Sequence, residues 1–560
     1  MTDLEIPLEK DRKGHYRFFE ILPGFLSYTL LLLPFILALI DVTLAVFFII
    51  FYLLVFFVRA LGYAIRGIAG YINMRHQLKL DWNALAEDID NGQVTDKQIE
   101  RPKWHYKNLK RLGTRKYDFR PKELTHAVII ATVNESREVL EPTIQAVLNS
   151  NFDSKRIILF IAYEGRAGKP AEERVMQLLE EYKDKFQYAE AVKHPANVPN
   201  EVIGKGSNIT CAGRKLAKYI AKEKIDPKKV LVTTLDSDNR VDRRYFAALS
   251  YLYCVVPNPL RASYQPVAMY TNNIWDAPTM MRVIATGNNL FYIVNTQRPH
   301  LSRNFSAHAQ PLQSLIETDF WSTRTVVEDG HQFWRSYFRY DGDYRVYPFS
   351  IPIYQDAVLA EGYTKTLKAQ FIQLRRWTYG ASDVAYIADK GFWHKNKIPK
   401  ADVLAKMLRT LESHVTWATG PLIVYFAAFI PPLISPQNLA ANQLPLIVSR
   451  VQRLGLAGLL ITLYVCLVTL PPRPARYKRH RSVLMLLQWV LLPVTSVAYG
   501  SLAAFNSQTR LMFKKYLSKF DVTEKTTITE SGKKISTVAD PSRDDSNGRR
   551  SIRRLFYRNG

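Results

Sequence analysis

The sequence predicts an α/β domain, a sheet with helices on both faces, inserted between two groups of membrane-spanning helices. Three observations lead there. Two zones, roughly 21–64 and 412–505, are dense in Leu, Ile, Val and Phe, although hydrophobic residues overall make up 47% of the 560-residue chain. Between these zones, short β-branched runs alternate with stretches of helical spacing. The formal charge of +26 gathers beside the apolar segments, with Lys10, Arg12, Lys13 and Arg17 before the first and Arg473, Arg476, Lys478, Arg479 and Arg481 between two later ones. Such a charge would also suit a nucleic-acid binder. Its position beside membrane spans marks the cytoplasmic side instead, so membrane lipid is the expected surface and no nucleic-acid partner is expected.

Residues 1–20 read as a cytoplasmic N-terminus. Residues 21–64 hold enough apolar chain for a transmembrane hairpin at about 20 residues per crossing, turning near Asp41. The run is too long for a cleaved signal sequence, and no small-residue cleavage site follows it. Residues 65–123 are polar and basic, a cytoplasmic linker. The globular domain is expected over 124–392. HAVIIAT, RIILFIAY and KVLVTTL (229–235) read as strands, and Glu138–Asn149, Glu172–Phe186 and Tyr245–Val255 as helices. This alternation predicts a parallel sheet, with its ligand site beyond the carboxyl ends of the strands. Residues 393–413 are amphipathic and suit the membrane surface. The C-terminal membrane region, 414–505, contains three apolar segments at about 414–435, 445–470 and 482–505, in which Pro421, Pro431, Pro432 and Pro493 predict kinked or broken helices. Residues 506–560 form a basic tail, expected to be partly disordered. Two spans followed by three would put this tail on the far side, yet RLMFKKYLSK and RRSIRRLFYR are basic and belong on the near side. Either one segment fails to cross or another is hidden. Cys211, Cys254 and Cys466 are scattered and odd in number, which fits a reducing compartment and gives no zinc or disulfide pattern.

The residues just after strands are where chemistry is sought. Asp236-Ser-Asp238 directly follows KVLVTTL. Two carboxylates at i and i+2 can share a divalent cation such as Mg²⁺ or Mn²⁺, although the same letters also arise by chance. Glu328-Asp329 in RTVVEDGHQFW follows another short apolar run. An aspartate beside a second carboxylate is a candidate base, because like charges raise one pKa; acids at a solvated helix start are the plainer alternative. Gln373, Arg376 and Trp377 lie in FIQLRRWTYG. Arginine offers a fork for phosphate, tryptophan a flat face for a sugar ring, and glutamine a partner for hydroxyls. An amphipathic helix with an interfacial Trp is the alternative.

The three motifs, in this order between membrane segments, resemble family 2 glycosyltransferases of the membrane-integrated kind that includes cellulose, chitin and hyaluronan synthases. The resemblance covers about 124–390. Gly204-Lys205-Gly206-Ser207-Asn208 is similar to that family's segment near the donor, and Phe520-Asp-Val-Thr-Glu-Lys525 to a segment after its last membrane element. The resemblance implies a GT-A fold, a Rossmann-like mixed sheet with helices on both faces, set between transmembrane helices. It implies a nucleotide-sugar donor held through a metal by Asp236 and Asp238, with Lys205 near it and the segment Val133, Asn134, Glu135 meeting the nucleotide. Asp329 would be the catalytic base with Glu328 beside it, and Gln373, Arg376 and Trp377 would bind the acceptor and the pyrophosphate. The family's usual Asp-Asp-Gly turn after the second strand is Tyr163-Glu164-Gly165 here. Glu164 is the expected substitute, Tyr163 is placed to stack on a base, and a UDP-sugar is the default donor. His308 and His331 are weighed as third metal ligands against a structural role. The implied activity is metal-assisted inverting sugar transfer to a growing glycan, processive and coupled to export, by an integral, multi-pass protein of the plasma or inner membrane with a cytoplasmic catalytic domain. Transfer of one sugar to a lipid-linked or short acceptor, and a non-catalytic scaffold, are the alternatives. Channel lining would come from Thr416, Tyr425, Tyr464 and Gln488.

Overall fold

The computed structural model describes residues 4–518, 526–528 and 534–536; Phe520–Lys525 therefore lies outside the described residues. α1 (Gly14–Ile40) and α2 (Val42–Gln77) form the first apolar hairpin. At its tip the Asp41 carboxylate accepts from the Thr43 amide at 2.7 Å and caps α2. Within the stretch expected as linker, α2 runs on to Gln77 and is followed by α3 (Trp82–Asn91) and α4 (Lys103–Leu109). The globular part then reads β1 (Thr125–Thr132), α5 (Arg137–Leu148), β2 (Ile157–Glu164), α6 (Lys169–Tyr182), β3 (Tyr188–His194), α7 (Lys205–Lys222) and β4 (Val230–Asp236). It continues with β5 (Arg240–Val241), α8 (Tyr245–Val255), β6 (Ala262–Tyr270), α9 (Thr279–Asn295), β7 (Ala309–Pro311) and α10 (Leu312–Glu317). α11 (Glu328–Arg339), β8 (Arg345–Gln355), α12 (Tyr363–Thr378) and α13 (Asp383–Ala388) complete it. α14 (Lys400–Phe426) spans the expected amphipathic segment and the first C-terminal apolar run as one helix.

The sheet has the order β3-β2-β1-β4-β7-β6-β8-β5. β3, β2, β1 and β4 are parallel, as the alternation predicted. β7 then pairs antiparallel with both β4 and β6, and β5 antiparallel with β8. The sheet is therefore mixed, although β6 and β8 are again parallel to one another. Side chains of successive strand residues go to opposite faces. Val128, Ile130, Leu159 and Ile161 pack with α3, α5, α6 and α8, and Ala127, Ile129, Ile158 and Phe160 with α7 and α10.

Among the described residues, four helices are long and apolar enough to cross a membrane: Gly14–Ile40, Val42–Gln77, Lys400–Ile434 and His480–Met512. A bent pair, Leu439–Arg453 with Gly458–Val468, qualifies together, with a 40° break. The contacts trace the path of the chain. Leu444 packs beside Ala38 and Val42 near the hairpin tip, whereas Cys466 reaches the Thr286 carbonyl of α9 at 3.5 Å. The bent pair thus runs from the tip back to the sheet domain. His480–Met512 behaves differently. Arg481 donates to the Trp275 carbonyl at 2.9 Å near its start, Gln488 accepts from Arg282 at 2.7 Å, and Ser507 meets Thr378 at 2.9 Å near its end. Both ends touch the sheet domain. Arg17 of α1 donates to the carbonyls of Leu511, at 2.6 Å, and Met512, and Tyr516 donates to Glu20 at 2.8 Å. The start of the chain, the end of this helix and residue 516 are thus in contact with one another.

Glycine lets α2 dock on that domain. A Cβ on Gly70 would lie 2.5 Å from the Ile293 carbonyl of α9, and one on Gly67 2.9 Å from the Leu290 side chain. Gly70→Val should therefore destabilise the protein by about 1–3 kcal/mol, seen as earlier thermal aggregation of the detergent-solubilised chain, whereas Gly287→Ala, which meets nothing within 4 Å, should not.

Candidate functional site

The carboxyl ends of β1, β2 and β4 open on one cavity of about 990 Å³. Parallel pairing sets Asp236, the last residue of β4, opposite Ala131 of β1. A tight turn follows: the Asp236 amide donates to Asn239 Oδ1 at 2.9 Å, and the Asn239 amide to the Asp236 carbonyl at 3.0 Å. Asp236 and Asp238 both line the cavity. Asp238 Oδ2 accepts from the Asp356 amide at 3.0 Å, which ties it to the end of β8.

Lys205, the first residue of α7, holds Asp236. Its Nζ lies 2.6 Å from Asp236 Oδ1 and donates to Ser306 Oγ at 2.8 Å, while Ser306 donates to Asp236 Oδ2 at 2.7 Å. Burial works against the Lys205 ammonium, but the charges of Asp236 and Glu328 outweigh it and raise its pKa. Next to it, a Cβ on Gly206 would lie 2.5 Å from the Ser322 carbonyl and 3.0 Å from Glu328 Cβ. Glycine thus lets α7 begin against the start of α11.

Glu328 and Asp329 open α11 and line the same cavity. Burial, and then the charge of Asp329, push Glu328 up to about 8 against the pull of Lys205. Asp329 is also raised, by burial first and with the charge of Asp236 adding, while Lys205 and Arg376 oppose. On α12, Gln373, Arg376 and Trp377 stand at i, i+3 and i+4, one helix face, and all three line the cavity. Burial lowers the Arg376 pKa, opposed by Glu328, Asp236 and Asp329.

Val133, Glu135 and Glu164 line the cavity at the ends of β1 and β2. Glu135 folds back to accept from the Thr132 hydroxyl at 2.7 Å and the Val133 amide at 2.6 Å. Asn134 is turned away to Arg174, and Tyr163 gives its hydroxyl to Glu172 at 2.9 Å; neither lines the cavity. His308 is structural. Trp321 Nε1 donates to its Nε2 at 3.3 Å, its Nδ1 lies 2.8 Å from the Phe305 carbonyl, and burial lowers its pKa to about 4. His331 points its Nδ1 at Asp383, 2.7 Å away, and lies outside the lining. Among the described residues no group of three or more His, Cys, Asp or Glu is placed to hold a metal ion. Asp236 and Asp238 offer two carboxylates, a set that Mg²⁺ or Mn²⁺ accepts when phosphate oxygens and water complete it; Lys205 already sits on the first.

Asp356 and Ser306 line the cavity too and were missed, as does Asn208 of the segment expected near the donor. Asp356 directly follows RVYPFSIPIYQ, so the strand-end rule that singled out Asp236 would have found it. The cavity extends past Tyr270 and Tyr292 to Arg59 and Tyr63 of α2, to Thr416 and Trp417 of α14, and to Ser496. Of the proposed channel residues only Thr416 lines it; Gln488 is engaged with Arg282 instead.

No protein-family model and no curated protein matches the sequence. Among solved structures it overlaps the mannosyltransferase PcManGT from Pyrobaculum calidifontis in complex with GDP-Man and Mn²⁺, with 13% identity over 78% of this chain and 100% of that one, at a TM-score of 0.38. It also overlaps residues 1–349 of S. aureus TarS in complex with UDP-GlcNAc, with 9% identity over 75% and 98%, at a TM-score of 0.35. Overlaps this loose carry no argument about function.

The coupling between the adjacent acids can be read directly. Asp329→Asn removes one of the charges that raise Glu328, so the infrared band of the protonated Glu328 carboxyl should vanish at lower pH in the variant than in the native protein.

Proposed function

We propose that the chain is a membrane-embedded glycosyltransferase of family 2 with a GT-A domain over 124–392, transferring a sugar from a nucleotide-sugar donor, by default a UDP-sugar, to a growing glycan. One observation carries this reading: Asp236, Asp238, Glu328, Asp329 and Arg376, drawn from segments far apart in the sequence, line one cavity at strand carboxyl ends. In this reading Val133, Glu135 and Glu164 meet the nucleotide, Lys205 and Arg376 hold the diphosphate, and Gln373 and Trp377 meet the acceptor. A divalent cation at Asp236 and Asp238 would neutralise charge on the leaving diphosphate. The acceptor hydroxyl oxygen bonds to the anomeric carbon as the bond from that carbon to the diphosphate oxygen breaks. The electron pair leaves with the nucleoside diphosphate, and the hydroxyl proton passes to Asp329, whose raised pKa suits a base. Attack opposite the leaving group inverts the anomeric configuration.

The extension of the cavity to α2 and α14 supports an acceptor or product that moves along the membrane helices, and hence growth of a polymer coupled to export, with the catalytic domain cytoplasmic. A scaffold that had merely kept the fold gains nothing from buried Glu328, Asp329, Lys205 and Arg376, whose burial is costly.

A screen of UDP- and GDP-sugars with the purified protein should find one donor whose nucleotide is released, with the release abolished by EDTA. Asp329→Asn should lower kcat by about 10²–10⁴-fold; undiminished turnover would remove Asp329 as the base. Sizing the labelled product distinguishes a polymer ladder from a single addition. The acid limb has a defined sign. Asp329 must be ionised to accept the proton, and its pKa is raised, so the fall of kcat with decreasing pH should begin above the ordinary aspartate value of about 3.9, as a pH–rate profile would record.

A further inference from the structure

The two ends of the cavity differ in charge. The strand end is rich in carboxylates, whereas Arg59, Arg303 and Arg409 line the end between α2 and α14. Glu412 in that end is engaged by Arg59 and by the Thr416 hydroxyl at 3.0 Å. Arg303 is the telling residue. It donates to the Thr410 hydroxyl at 2.7 Å and lies 4.5 Å over the Trp334 ring, with no carboxylate ion pair among the described residues. Burial lowers its pKa to about 10, with Asp383 opposing and Arg409 adding. Arg298 lies close behind: burial lowers its pKa, and the charges of Arg66, Arg409 and Arg59 lower it further. Guanidiniums gathered this way repel one another, and an incoming anion relieves that repulsion. The surroundings show where such an anion comes from. Val58, Leu61 and Ile65 of α2 and Leu404 and Leu408 of α14 are exposed, an apolar surface suited to lipid contact.

We propose that this arginine pole holds the phosphate of a lipid-linked acceptor, a polyprenyl diphosphate whose attached saccharide reaches Asp329 from the membrane side. The assignment rests on the transfer reading above and adds the acceptor class to it. Arginine matches phosphate oxygens in a bidentate fork. Arginines at helix ends also attract any anionic headgroup, but Arg303 stands inside the cavity that continues to Asp236 and Asp329, where a ligand must enter.

The test uses the full-length chain in phosphatidylcholine nanodiscs and measures retention of labelled polyprenyl diphosphate. Retention should exceed that of labelled polyprenol by about tenfold or more, the scale of a charge-assisted hydrogen bond, and neither phosphatidylglycerol nor inorganic pyrophosphate should displace the lipid. Arg303→Gln combined with Arg409→Gln should weaken retention by about tenfold or more. Arg409→Gln alone, at an exposed position, should weaken it measurably and serves if the double variant does not fold. Equal retention of polyprenol, displacement by phosphatidylglycerol (a general anionic surface) or by pyrophosphate (a free-phosphate site), or unchanged affinity in the folded variants overturns the proposal. The assay needs no sugar donor. Retention that obeys these expectations without any nucleotide release would therefore count against the transfer reading while the lipid-phosphate site stands.

Discussion

The contact between Lys205 and Asp236 is the constraint on which the centre of this molecule turns. A buried charge is tolerated only with a partner and with its remaining hydrogen bonds met. Here one ammonium, one hydroxyl and one carboxylate close a triangle, with Ser306 bridging the other two. Each corner comes from a different stretch of chain: the start of α7, the loop before β7 and the end of β4. Satisfying the triangle fixes where α7 begins, and the missing side chain of Gly206 then lets α11 start against it. Glu328 and Asp329 are thereby brought into the same enclosure, facing Arg376 of α12. Asp236, Asp238, Glu328 and Asp329 outnumber Lys205 and Arg376 in this lining. The raised pKa of Glu328 is the expected response, since a proton retained on one acid reduces the excess charge.

The parts of the fold legible in the sequence share one physical property. β1, β2 and β4 are buried on both faces, so each appears as a run of apolar and β-branched residues. β6 is equally buried, yet it carries Ser263, Gln265 and Pro266, and its register with β8 shifts around that proline; nothing in ASYQPVAMY announces a central strand. β7 has three residues, too few for any period. The far part of α2, from residue 65, reads as linker because that stretch is polar and basic, with Arg66 and Arg75 in it. Its anchors there are Gly67 and Gly70, whose significance appears only when α9 lies against them.

The candidate site divides along the same line. Asp236 and Asp238 could be found because strand ends form the rim of such sheets, and Asp356 obeys that rule as well. Glu328 and Asp329 were ambiguous in isolation, since a helix start accounts for acids without any function. In the structure they open α11 and line the cavity, with Glu328 buried rather than solvated. His308 shows the opposite failure. Its proximity in sequence to the site says nothing of Trp321 and the Phe305 carbonyl, which use both ring nitrogens.

Hydropathy poses a harder problem in the C-terminal membrane region, because it measures how apolar a helix is and not where its ends lie. By length and composition His480–Met512 is as good a span as Lys400–Ile434. Its contacts fit a second placement. Met485 and Tyr499 pack in a cluster with Trp275 and Leu374, and Ser507 reaches Thr378, so one face lies along α9 and α12 while Val483, Leu487, Val490 and Val494 remain exposed on the other. A helix apolar on its free face and seated on a domain with the other has the pattern of an interfacial helix as much as that of a span. That geometry also explains the basic residues on both sides of it. Arg476 and Arg481 at its start are held by Asp276 and the Trp275 carbonyl, and Arg17 of α1 closes over its last carbonyls. Arg476 and Arg481 thus tie the start of the helix to the sheet domain and Arg17 ties its end to α1, while Ser496 between them lines the cavity.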